Sequence, residues 1–180
     1  MFIRARPADA APWHQTRRAG EGFVFGQRHG VHEARLVPNA DRAVELFLAI
    51  TEHFGPFGSF TVDDWRSGTV WHGTDLATAD VRDAVARARH VLTAHAGTEI
   101  SLVSDREQAT LTANLNVRVY APTDRWLYLL QGKGLRRLQR VRRRSWALTR
   151  GEFRSVAASQ EMVTQLVSRL HLVAEGGGSE

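Results

Sequence analysis

The stretch Ala109-Thr110-Leu111-Thr112-Ala113-Asn114-Leu115-Asn116-Val117-Arg118-Val119-Tyr120 decides the fold class. Its odd positions are apolar and its even positions polar throughout. A helix would scatter those apolar side chains around its circumference, whereas a strand puts them all on one face. The spacing predicts one long strand in an antiparallel sheet, buried on one face and polar on the other. The polar face, rich in Thr, Asn and Arg, then meets solvent or a partner.

Residues 99–104 are expected to pair with this strand across the break at 105–108. Residues 125–131 follow across Pro122-Thr123-Asp124, a turn tripeptide, as a further strand. Together they make a meander at about 99–131. Upstream, residues 22–25 and 32–37 flank a Gly26…Gly30 turn, and residues 60–65 and 69–72 flank Arg66-Ser67-Gly68. Both read as hairpins. Trp65 and Trp71 fit a cross-strand pair on the second one.

Three helices complete the pattern. The first, at about 39–54, has Asn39 as N-cap, Gly55 as stop, and Ala43, Phe47, Ile50 and Phe54 on one face. The second, at about 78–96, is capped by Thr78 and carries Val81, Val85, Ala88 and Leu92. The third, at about 155–173, carries Val163, Leu166, Val167 and Leu170. The expected fold is α+β, an antiparallel or mixed sheet with the helices mainly on one face.

Length and composition fit one globular domain at 21–174. Residues 1–20 read as an irregular arm around Trp13, and residues 175–180 as a disordered glycine-rich tail. The start shows no apolar secretory core, and no apolar run is long enough to span a bilayer. Cytoplasmic location without membrane attachment is expected. With no cysteine, zinc ribbons, iron–sulfur clusters, thiol nucleophiles and disulfide frameworks are excluded.

One stretch stands apart. Residues 133–150 read Lys-Gly-Leu-Arg-Arg-Leu-Gln-Arg-Val-Arg-Arg-Arg-Ser-Trp-Ala-Leu-Thr-Arg, with eight basic residues and no acid. Of the 24 basic residues in the chain, 16 remain elsewhere against 19 acidic ones, so this run creates the whole net charge of +5. Like charges so dense repel one another unless solvent or a partner compensates. Phosphate suits them, because arginine binds it bidentately and neutralisation releases counterions. The candidate polyanion-binding residues are Lys133, Arg136, Arg137, Arg140, Arg142, Arg143, Arg144, Trp146 and Arg150. Trp146 and Tyr128 are candidates for base stacking. Two blander readings compete. Leu135, Leu138 and Val141, at spacing three, would anchor a short helix with solvated arginines. Alternatively, 141–148 forms an edge strand guarded by charge.

No catalytic or metal motif is found, and no cofactor is expected. His29 and His32 point to opposite faces of a strand, and zinc needs further ligands. His90 and His95 are five apart, where helical metal pairs prefer four. Asp63 and Asp64 are adjacent, so a strand sends them to opposite faces, against the nucleotidyltransferase geometry. Gly132-Lys133-Gly134 lacks the rest of a phosphate loop. The expected function is non-enzymatic binding of nucleic acid or another polyanion through 133–150. The alternatives are a protein-binding module of adaptor, inhibitor or immunity type, and an enzyme whose site converges only in space near His29, His32, Asp63 or His72.

Overall fold

The computed structural model describes residues 21–141 and 147–175. In chain order the elements are β1 (Gly22–Arg28), β2 (Val31–Val37), α1 (Ala40–Thr51), β3 (Phe57–Asp64), β4 (Thr69–Ala77), α2 (Thr78–His95), β5 (Thr98–Ser104), β6 (Glu107–Leu111), β7 (Val117–Ala121), α3 (Arg125–Gly132), β8 (Arg136–Arg137), α4 (Ala157–Arg169) and β9 (Val173–Ala174). The described residues thus form an α+β fold. Its nine strands lie in the order β8-β1-β2-β7-β6-β5-β3-β4-β9. All described pairs are antiparallel except β1 with β8, so the sheet is mixed.

The meander β5–β6–β7 forms the centre. A hairpin flanks it on each side, β2 pairing with β7 and β3 with β5. Register carries one buried face across the sheet. Phe23 sits opposite Leu36, Leu36 opposite Val117, Val117 opposite Leu111, Leu111 opposite Ile100 and Ile100 opposite Val62. All are fully buried. Helix α1 meets β6 and β7 there, α2 meets β3 and β4, and α4 packs on α2. Burial of this apolar surface, at about 25 cal/mol per Å², supplies the main driving force.

The stretch 109–120 is two strands rather than one. The chain turns at 112–116, where Leu115 donates its N–H to the Thr112 carbonyl at 2.8 Å and takes φ +57°. Thr112 Oγ1 accepts from the Asn116 N–H at 3.1 Å. The alternation survives the turn because Ala109 pairs with Val119 and Leu111 with Val117. Each pair joins two odd numbers, so the apolar parity is the same on both arms.

Residues 125–131 form a helix, not the expected strand, so four helices are described rather than three. The reason is local. Trp126 and Leu130 are the buried residues of this segment and lie four apart, a helical spacing. Trp126 packs edge-on against Phe54 at a centroid distance of 6.2 Å.

The expected caps also act differently. The Asn39 side chain makes no cap bond; its backbone N–H donates to Glu21 Oε1 at 2.7 Å, and Glu21 also pairs with Arg42. Thr78 is the first residue of α2, and its hydroxyl ties the helix to the Gly55 carbonyl at 2.6 Å. The arm at 1–20 and residues 176–180 lie outside the described residues. Glu175, expected in the tail, donates its N–H to the Val70 carbonyl.

Candidate functional site

The basic run begins where α3 ends. The chain turns at Gly134, with φ +79°, a conformation glycine adopts without steric cost. Leu135 is buried. Arg136 and Arg137 then run parallel to Gly22 and Phe23, forming a short strand on the β1 edge. Leu138 donates its N–H to the Phe23 carbonyl at 2.7 Å. Its side chain covers Gly22, where an added Cβ would stand 2.6 Å from Leu138 Cγ. Leu135 and Leu138 therefore anchor the segment, as their spacing implied, but in extended form and not as a helix.

The charged side chains face outward. Arg136, Arg137 and Arg140 are exposed and Lys133 is half-buried. Among the described residues none of the four lies within ion-pair distance of an acid. Tyr128, on the helix leading into the run, is 64% exposed.

Arg150 has a different fate. It pairs with Asp63 and lies 5.7 Å over the Trp65 ring. Just before it, Leu148 exchanges two bonds with the Asn114 side chain, each 2.9 Å. This end of the run is bound to the sheet. Arg142, Arg143, Arg144 and Trp146, together with most of the 141–148 segment, lie outside the described residues.

The open face of the sheet is polar, but it does not extend the basic patch. Thr61, Ser101, Thr110, Arg118 and Arg35 line up across five strands, β3, β5, β6, β7 and β2. Ser101 and Thr110 share a hydroxyl bond at 3.0 Å, and Gln108 donates to both. The Tyr120 hydroxyl donates to Glu33, which also pairs with Arg35. Burial pushes the Tyr120 phenol up, and the Glu33 charge adds to this.

Asp63 faces Glu99 across β3 and β5 on this same side. Burial raises the Glu99 carboxyl, and the Asp63 charge adds to the rise. The Ala113 N–H and the Arg118 and Arg150 charges act against it. Glu33, Asp63 and Glu99 stand against Arg35, Arg118 and Arg150 here, so the face is near charge balance. The sequence gives no local signal for this cluster, because sheet register brings Asp63 and Glu99 together.

Asp64 takes the opposite face, as a period of two requires. It is buried with Arg66, whose guanidinium reaches Asp64 Oδ1 at 2.6 Å and Thr98 Oγ1 at 2.9 Å. The same guanidinium donates to the Ala96 and His95 carbonyls at the end of α2. This is a structural pair that neutralises the negative end of a helix.

The histidines stay apart. His29 sits in the two-residue β1–β2 turn with φ +50°, while His32 stacks on Phe25 at 5.6 Å. His90 and His95 both lie exposed on α2. Among the described residues no three His, Asp or Glu side chains gather as a metal site. No described helix is long and apolar enough to cross a membrane. No family model, curated protein or solved structure matches the chain.

Proposed function

We propose that this chain is a non-enzymatic binding protein that holds a polyanion, nucleic acid first, against the β1 edge through its basic run. One observation carries the reading: Lys133, Arg136, Arg137 and Arg140 gather where α3 meets that edge without an acidic partner among the described residues. A protein storing these cations for stability would pair them, as it pairs Arg66 and Arg150. Unpaired cations instead gain from a phosphate backbone through counterion release. Arg142, Arg143 and Arg144 continue the same run in sequence. Tyr128 offers an exposed ring for stacking beside it.

A second reading, a protein-binding module, is favoured by the near charge balance of the open sheet face. Tyr and Arg are enriched in protein interfaces, and Tyr120, Arg118 and Arg35 lie there together.

The test is fluorescence anisotropy with labelled single- and double-stranded DNA and RNA at several salt concentrations. The wild type is compared with an Arg136→Gln, Arg137→Gln, Arg140→Gln variant. The expected log affinity falls linearly with log salt. The slope becomes shallower by about 0.9 for each duplex phosphate contact the variant loses. Absence of binding at low salt, or a variant identical to wild type, overturns the reading.

A further inference from the structure

The outer edge of β1 is only partly covered. β8 pairs with Gly22 and Phe23 and goes no further. The Phe23 carbonyl accepts from Leu138, so the backbone groups of Phe23 point outward. Backbone direction alternates along a strand, so Phe25 and Gln27 point theirs the same way. Among the described residues these two make no hydrogen bond on that side. Two N–H and two C=O groups therefore stand in line at the end of a nine-stranded sheet. On the opposite edge β9 pairs Trp71 and His72 and Glu175 bonds Val70, and past Gly73 strand β4 is irregular, with a register shift against β3 and Asp75 at φ +54°. An open edge is a template for another extended chain.

We propose that this edge takes an extended acidic peptide from a partner protein as a tenth strand. Charge selects that occupant. Arg136 and Arg137 stand exposed beside Gly22 and Phe23 at the start of β1, Arg140 follows them exposed, and exposed Arg28 ends the strand. A second copy would bring two such cationic edges together. Added strands take affinity from main-chain bonds and specificity from alternate side chains. A peptide alternating acidic and apolar residues puts its apolar side chains over half-buried Phe25. Its carboxylates then lie on the other face, the face of Arg136.

The edge is tested by amide hydrogen exchange on the full chain, free and saturated with a synthetic peptide alternating glutamate and valine. In the free protein the Phe25 and Gln27 amides exchange fast, while those of Val24 and Gly26, turned toward β2, exchange slowly. The peptide slows Phe25 and Gln27 by about tenfold or more. A peptide N-methylated on alternate residues, with the donors facing β1 removed, loses that protection. A glutamine-for-glutamate peptide binds more weakly, and its binding responds less to salt. Peptide binding that leaves both amides unchanged overturns the proposal. So does equal binding of the N-methylated peptide, or protection that tracks self-association in sedimentation.

This proposal does not need nucleic-acid binding. Peptide protection without DNA or RNA affinity sustains it and removes the nucleic-acid reading. The converse result removes the tenth strand and leaves the nucleic-acid reading standing.

Discussion

Arg66 and the arginines of the β1 edge are the same side chain in opposite surroundings. The Arg66 side chain is 2% exposed, with Asp64, Thr98 and two helix-end carbonyls around its guanidinium. Arg136, Arg137 and Arg140 are exposed beside a sheet edge with no acid in reach among the described residues. The difference is set by what the backbone brings near. The hairpin β3–β4 places Asp64 two residues before Arg66, and the end of α2 adds carbonyl oxygens. The run at 133–150 contains no acid, and meets the β1 edge through the backbone of Arg136 and Arg137 and the side chain of Leu138. One guanidinium is a structural part, and the others are left to solvent or a partner.

The largest expected effect breaks the buried member. Arg66→Ala leaves the Asp64 carboxylate buried without its cation, which costs about 3–5 kcal/mol. Urea unfolding measures the loss. Replacing both partners with apolar residues, Asp64→Leu with Arg66→Met, restores much of it, since no unpaired charge remains. A cost below about 1 kcal/mol for Arg66→Ala alone would contradict the role given to the pair.

A smaller effect lies where the run rejoins the sheet. Asn114→Ala deletes two bonds to the Leu148 backbone, each 2.9 Å long. At about 0.5–1.5 kcal/mol per bond, the loss is about 1–3 kcal/mol. Hydrogen exchange at Leu148 should rise in the variant. Unchanged exchange there would show that Asn114 does not hold this end.

The sequence and the structure agree best where a pattern is local. Both flanking hairpins follow from their turns, where Gly30 and Gly68 stand at positive φ, although β1 runs on to Arg28, past the expected break at Gly26. α1 and α2 follow from apolar spacing. The hairpin hidden inside 109–120 was not legible, because a turn that joins residues of like parity preserves a period of two. The short helix at 125–132 is not legible as one because Trp126-Leu127-Tyr128-Leu129-Leu130 is apolar at nearly every position, so neither period stands out. The basic run was visible as composition, but its division was not. Arg150 pairs with a residue 87 positions away, which only the assembled sheet brings near.

Glu99 sharpens the contrast between buried and exposed charge, with an effect moderated by its partial exposure. Its carboxyl is held above the ordinary carboxylate value, chiefly by burial. A carboxyl raised by folding contributes stability that is fully present below its unfolded value, near 4.3, and is lost as pH rises through the folded value. Glu99→Gln removes that loss while keeping an acceptor for the Ala113 N–H. The variant should melt higher than wild type at pH 7 and match it below pH 4. A lower melting temperature at pH 7 would show that the ionised form is the stabilising one, held by Arg118 and Arg150.

The smallest expected effect on stability belongs to the edge. Replacing Arg136, Arg137 and Arg140 with glutamine removes exposed side chains that make no ion pair with a described acid. Each change should stay within about 0.5 kcal/mol, and relief of like-charge repulsion pushes the sum toward stabilisation. Salt separates repulsion from contact. Raising ionic strength from low values should stabilise the wild type by screening its run, and should do less for the variant. A loss of more than about 2 kcal/mol would mean that these arginines hold the fold, since surface changes do not reach that size without a specific structural role. They would then join Arg66, and the distinction between stored and available cations would fail. A stability near wild type, with binding lost, keeps the two populations apart and assigns the edge to recognition.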